Sequence, residues 1–251
     1  MRFIRGGLRG VWTIEPVAAR DDRGFFARTF CVQEFAAHGL EANFVQHSIS
    51  HSRVRGTVRG LHFQRHPHTE IKLVSCQRGK IWDVVVDLRA GSPTYCRWES
   101  FMLSAENRRQ LYIPRGFAHG FQSLSDDAEV AYMIANYYVP DAGGGVRYND
   151  PAFGIDWPLP PTMLSDKDQS WPDFSPEVGA EAGCVGAPHV SMAEPKMPWA
   201  ISRSAAARIV ANGMSARLAM SKRECSPSDR FRTHSIAIAF AAPAGSPPVD
   251  A

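Results

Sequence analysis

Four apolar runs, IKLVSC, KIWDVVVDLR, RQLYIP and EVAYMIANYYV, fall between residues 71 and 139, each bounded by Gly, Pro, Asp or Ser. This rhythm constrains the chain more than any other feature. The runs are rich in β-branched and aromatic residues, which a pleated surface accommodates better than a helix does. Many short strands punctuated by turns predict an all-β sandwich or barrel rather than alternating strand–helix units. A short helix is expected around VQEFAAHGL, stopped by Gly39, and a helical turn at SAENRRQ.

The pattern dissolves near residue 176. Beyond it the chain is rich in Ala, Ser, Pro and Gly and poor in aromatic residues. The expectation is one domain over residues 1–176 and a low-complexity tail over 177–251, disordered or loosely packed. Within the tail, AAARIVANGMSARLAMSKRE reads as one helix and IAIAFAA as one short strand. Composition narrows the function classes. Hydrophobic content of 44% and charged content of 21% fit a soluble globular protein. A net charge of +3 without a basic block offers no footing for nucleic acid or a membrane surface. No apolar run reaches the roughly 18 residues of a membrane span, and the N-terminal MRFIRGGLRGVWTIEP lacks a signal-peptide core. The five cysteines are scattered and form no CxxC, as expected of free thiols in the cytoplasm.

The chemistry concentrates in VRGLHFQRHPHTEIKLVSCQRG, residues 58–79. Gly60, His66, His68, Lys72 and Gly79 meet the spacing Gly-x5-His-x-His-x3-Xaa-x6-Gly of metal-binding cupins, and Pro114, Gly116 and His119 meet its second stretch. The carboxylate position, however, holds Lys72. An ammonium repels a divalent cation and cannot coordinate it while protonated. The economical reading is that Lys72 supplies the positive charge a metal would bring, with no metal and no cofactor. The AGGGVR stretch opens no helix pattern and so makes no dinucleotide fingerprint. A lysine in a barrel pocket suits oxyanion stabilisation, and a nearby histidine suits proton abstraction near neutral pH. A tyrosine on the far side of the substrate would complete such a site. Strand alternation puts Tyr132 and Tyr138 on one face, roughly 20 Å apart along a straight strand. Taken alone, both read as ordinary strand aromatics.

From Arg2 to about Phe174 the chain resembles the dTDP-4-dehydrorhamnose 3,5-epimerase family. The resemblance rests on DDRGFFARTF, FVQHSISHS, GTVRGLHFQ, EIKLVSCQRGKIWDVVVDLRAGSPTY, LYIPRGFAHGFQSLSD, RYNDPAFGIDWP and LSDKD, in family order. It implies a metal-free, cupin-type jelly-roll β-barrel with a few short helices, usually a homodimer, acting on a nucleotide-sugar substrate without a cofactor. Position by position, it implies His62 as catalytic base, Asp168 as its carboxylate partner, Lys72 as oxyanion-stabilising cation and Tyr132 as general acid. It implies substrate-binding roles for Arg23, Phe26, Gln46, Arg59, His119 and Lys167, and a base-stacking role for Tyr138. Arg28 and Ser48 stand where the family often has Glu and Asn, and the acidic residue common after YYxP is missing from DAGGG. These departures keep open a single-centre epimerase on another nucleotide 4-keto sugar. A metal-dependent cupin and a non-catalytic sugar-binding barrel are the readings from other classes. One geometric problem stands out: strict alternation would turn Arg59 and His62 to opposite faces, unless Gly60 admits a bulge.

Overall fold

A computed structural model describes residues 1–182 of the chain. The elements are β1 (Arg2–Arg5), β2 (Trp12–Glu15), β3 (Ala18–Asp21), β4 (Gly24–Ala27), α1 (Val32–Ala37), β5 (Gln46–Ser52), β6 (Val58–Gln64), β7 (Lys72–Arg78), β8 (Lys80–Asp87), β9 (Trp98–Ser104), β10 (Gln110–Ile113), β11 (Phe117–Ser123), β12 (Ala128–Ile134), β13 (Gly143–Gly145), α2 (Asp166–Gln169) and α3 (Pro176–Ala182). Each of the four apolar runs carries a strand, and the sheets they build are antiparallel throughout.

Two sheets carry the fold. One is six-stranded in the order β1-β2-β10-β7-β12-β5, the other five-stranded in the order β13-β6-β11-β8-β9. Neighbours out of chain order in both sheets are the signature of a jelly roll. The strands alternate as a sandwich requires. From β7 and β12 the inner face sends Val74, Cys76 and Val130 into a core shared with Ile81, Val85, Leu103 and Phe121 of the opposing sheet. Strand β8 is buried on both faces because its other side, with Val84 and Val86, is roofed by Phe153, Trp157 and Phe174 of the later chain. This is why KIWDVVVD is apolar without a break between Val84 and Val86.

Helix α1 lays Phe35, fully buried, against Ile14, Leu73 and Tyr112 on the outside of the six-stranded sheet. Gly39 follows it at φ +69°, ending the helix as the sequence implied. SAENRRQ makes a single turn that does not continue into a helix: the Arg108 N–H donates to the Ser104 carbonyl at 2.9 Å. Ser104 and Asn107 exchange side-chain-to-backbone hydrogen bonds of 3.1 and 3.0 Å, and the segment is a tight turn between β9 and β10. Local side-chain bonds of this kind compete with a helix. The expected boundary at 176 falls on the first residue of α3. Ala182 of α3 is buried in the cluster under β6 and β8, and the Glu181 carbonyl accepts from the His66 N–H at 2.8 Å. Packing therefore runs past the expected edge through Ala182. The candidate tail helix and strand lie outside the described residues.

Candidate active site

Between the two sheets lies a cavity of about 580 Å³, within the usual range for small-molecule sites. Strand register decides who enters it. Along β7 and β12, Lys72 pairs across with Ile134 and Val74 with Tyr132, so Lys72 and Tyr132 are diagonal neighbours on the inner face. The opposite wall comes from β6 and β11, where His62 and His119 are cross-strand partners. His62 and Tyr132 thus reach the cavity from different sheets.

The Arg59–His62 problem is resolved by a bulge. On β11, His119 to Phe121 spans two steps, while their partners on β6, His62 to Arg59, span three. The extra residue lets both side chains line the cavity. Gly60 makes this possible: its φ is +123°, and a Cβ there would lie 2.6 Å from Gly120 Cα and 2.8 Å from the His119 carbonyl. No other residue type fits that approach.

His62 Nε2 lies 2.5 Å from Asp168 Oδ1. The imidazole side chain is 43% exposed and Asp168 only 6%, so the histidine faces the cavity and the carboxylate stands behind it. Asp168 is delivered by α2, whose first turn is capped by Ser165 Oγ accepting from the Asp168 N–H at 3.1 Å. Its other oxygen accepts from the Gly60 N–H at 3.3 Å. Burial by itself would raise the Asp168 pKa. The His62 hydrogen bond and charge, with the Gly60 and Ser165 bonds, outweigh it and hold the carboxyl below its ordinary range.

Tyr132 is hydrogen-bonded through its hydroxyl to Ser50 Oγ at 3.0 Å. Burial, reinforced by the nearby Asp83 carboxylate, pushes its phenol pKa far above the ordinary value, which keeps the hydroxyl protonated. Lys72 Nζ pairs with Glu70 Oε1 at 3.1 Å, both side chains nearly buried. Gln64 donates to the other Glu70 oxygen at 2.8 Å. His119 lies at the cavity floor with Nε2 2.9 Å from Asp83 Oδ2, its ring centroid 6.3 Å from that of Tyr132. Burial raises the Asp83 pKa, against the opposing pull of His119 and Lys72.

Lys167, Arg59 and Tyr138 also line the cavity. Tyr138 does not arrive by strand alternation. Strand β12 ends at Ile134, the Tyr137 N–H bonds to its neighbour Asn136 Oδ1 at 2.9 Å, and the Tyr138 N–H donates to Gln46 Oε1 at 2.6 Å. The chain folds back there, and the expectation of one straight strand through Tyr138 is corrected. Gln46 therefore supports the cavity mouth through Tyr138 rather than lining it. Arg23 and Phe26 are not brought to the cavity of their own chain. They sit on the β3–β4 hairpin, with Phe26 77% exposed and Arg23 paired to Asp21. The histidines of the metal-like spacing are not gathered either: His119 lines the cavity, and His66 and His68 do not. Among the described residues no group of three or more His, Cys, Asp or Glu forms a metal cage.

Comparison with known proteins identifies the family. The sequence profile of dTDP-4-dehydrorhamnose 3,5-epimerase matches residues 5–176. The dTDP-4-dehydrorhamnose 3,5-epimerase of Methanothermobacter thermautotrophicus is 48% identical over 173 residues, covering 68% of this chain and 92% of its own. The chain belongs to the dTDP-4-dehydrorhamnose 3,5-epimerase family. A Legionella pneumophila 3,5-epimerase, solved in complex with dTDP-4-keto-L-rhamnose, superposes on this family member with a TM-score of 0.68 at 39% identity, covering 74% of this chain and 99% of that one. The dTDP-4-dehydrorhamnose 3-epimerase of Streptomyces niveus is 44% identical, over 67% of this chain and 82% of its own. As a member of the epimerase family, the chain is an isomerase with a cupin-type fold.

Four residues at this cavity were not among the sequence candidates: Glu70, Ser50 and Trp171, which line it, and Asp83, which backs His119. Asp83 carried a signal, since a carboxylate inside KIWDVVVD demands a buried partner. Glu70 lay two residues from Lys72, but in a segment that reads as loop. Nothing in the sequence singles out Ser50 or Trp171.

Proposed function

We propose that this epimerase converts dTDP-4-dehydro-6-deoxy-D-glucose to dTDP-4-dehydro-L-rhamnose, inverting C3 and C5 without a cofactor. His62, with Nε2 held by Asp168, removes the proton next to the C4 ketone. The C–H electrons move into the ring, and negative charge collects on the C4 oxygen. Lys72 stabilises that enolate; a donor of this kind is worth about 10²–10³ in rate. Tyr132 then gives its hydroxyl proton to the same carbon from the opposite face and is reprotonated by solvent, while His62 releases its proton. The supporting observation is that His62 and Tyr132 enter one cavity from opposing sheets, with Lys72 diagonal to Tyr132. Arg59 and Lys167 supply positive charge for the diphosphate, and Tyr138 at the mouth offers a ring on which a base stacks. The 3-epimerase among the relatives keeps a single-centre reaction as the second reading.

The deciding experiment is incubation with dTDP-4-keto-6-deoxyglucose in D2O containing EDTA. Deuterium is expected at both C3 and C5. Exchange at one carbon supports the single-centre reading, and no exchange overturns both.

We also propose that residues 1–176 form the catalytic unit, acting as a homodimer in the cytoplasm. The outer face of the six-stranded sheet holds a second cavity of about 510 Å³ lined in part by Ile49, Ala131 and Met133. Ile49 is 65% exposed, and at the other end of the same cavity lining, three strands away, Gln110 Oε1 is buried without a hydrogen bond. In this homodimer we assign Arg23 and Phe26, exposed on a hairpin away from their own cavity, to the partner's substrate. Ile49→Glu is expected to yield a monomer by light scattering, with a raised KM. A variant still dimeric would remove this face as the interface. Among the described residues, no helix is long and apolar enough to cross a membrane.

A further inference from the structure

Beside His62 the ladder contains a gap. The cross-strand partner of His62 on β13 is Gly145, and the space its missing side chain leaves is filled by the indole of Trp171. A Cβ on Gly145 would lie 2.6 Å from Trp171 Nε1 and closer still to Cε2. The indole meets the imidazole edge to face, with centroids 6.3 Å apart and planes at 67°. Its N–H is buried and makes no hydrogen bond, so packing of the ring, not its polar atom, determines its place. Lys167 Nζ sits 5.3 Å from the ring centroid.

Trp171 comes one turn of chain after Asp168. A single short segment therefore reaches His62 twice, with a carboxylate at Nε2 and an aromatic wall beside the ring. A hydrogen bond at one nitrogen fixes a point but leaves the imidazole free to pivot about it. An aromatic wall against one edge of the ring restricts that pivot.

We propose that Trp171 is a positioning residue for His62, and that Gly145 is a glycine because the indole needs its space. This rests on the reading of His62 as the base.

The test uses the full chain and deuterium exchange into substrate, normalised to the number of dTDP-binding sites. Trp171→Ala is expected to lower kcat about 10- to 100-fold, the cost typical of a misplaced catalytic group, while KM stays within about twofold. Trp171→Phe, which keeps an aromatic wall, is expected to lose less. Gly145→Ala pushes the indole aside and is expected to lower kcat in the same sense. The decisive variant is the double one: with the indole gone, the added methyl has room, so Gly145→Ala/Trp171→Ala should turn over no more slowly than Trp171→Ala alone. If Trp171→Ala does not fold, Gly145→Ala/Trp171→Phe carries the comparison, and should outperform Gly145→Ala. Unchanged kcat in the single variants, or losses that multiply in the double, overturn the proposal. His62→Ala run alongside separates the two levels. Exchange at the parental rate in that variant removes the base assignment itself, whereas a silent His62→Ala with parental Trp171 variants removes only the role of Trp171.

Discussion

Lys72 and Glu70 show how one charge pair sets both chemistry and stability. Their side chains are 12% and 10% exposed, with Nζ and Oε1 3.1 Å apart. Replacing Lys72 by Met strands a buried carboxylate whose other partner is Gln64, and breaking such a pair costs about 3–5 kcal/mol. Lys72→Met is expected to lose that stability in urea unfolding and about 10²–10³ of the exchange rate. Adding Glu70→Gln should recover most of the stability and none of the rate. Asp168 supplies a pH signature at the same scale. Its folded pKa lies below the ordinary value of 3.8, so its contribution to stability is complete above that value and is lost as pH falls through the folded one. Unfolding measured from pH 7 to pH 3 should show a constant gap between the parent and Asp168→Asn at the neutral end, closing below about pH 4. A gap that instead closes on the alkaline side would contradict the assigned direction.

Among the elements, β6 makes the site. It carries Arg59, Gly60 and His62 in four residues, and only the bulge lets two side chains an odd number of positions apart share one cavity. Gly60→Ala forces a methyl against the backbone of Gly120 and His119 at a φ that L-residues avoid. It is expected to cost about 1–3 kcal/mol and to abolish exchange together, because the same distortion moves His62. Wild-type exchange in this variant would show that the bulge is dispensable. The strands that build the core were legible because β7, β8, β10 and β12 are contiguous apolar runs. The fate of EVAYMIANYYV was not: its apolar pattern continues past Ile134, but the backbone bends at 135–136 and the Tyr138 N–H donates to Gln46 Oε1, 92 residues away in sequence. A local period carries no information about such a contact.

At the scale of the whole molecule, the barrel is buttressed by the short helix α3 at its C-terminal edge. Helix α3 contributes Ala182 and Val178 to the cluster under β6 and β8, and Glu181 pairs with Arg65, whose guanidinium also donates to the Gly143 carbonyl at 2.7 Å. A chain ending at 182 is expected to match the full protein in melting temperature and turnover. One ending at 175 is expected to melt several degrees lower, since losing about 1 kcal/mol shifts a domain of this size by roughly 2–4 °C. Equal melting of both truncations would show that α3 adds nothing to the barrel.

The sequence by itself determined the strand-rich architecture, the ammonium in place of an acid at position 72, and the candidates His62, Tyr132 and Asp168. The strands and the ammonium come from local pattern and residue type, which a linear chain displays; the three candidates come from the resemblance of its motifs to the epimerase family. Tertiary structure alone decided that His62 and Tyr132 stand on opposing walls, that Glu70 and Asp83 back the cationic and histidine groups, that Trp171 occupies the space of Gly145, and that Arg23 and Phe26 lie away from their own cavity. Those facts depend on register and on contacts between residues far apart in the chain, 106 positions in the case of His62 and Asp168. They arise only once the two sheets have closed on each other.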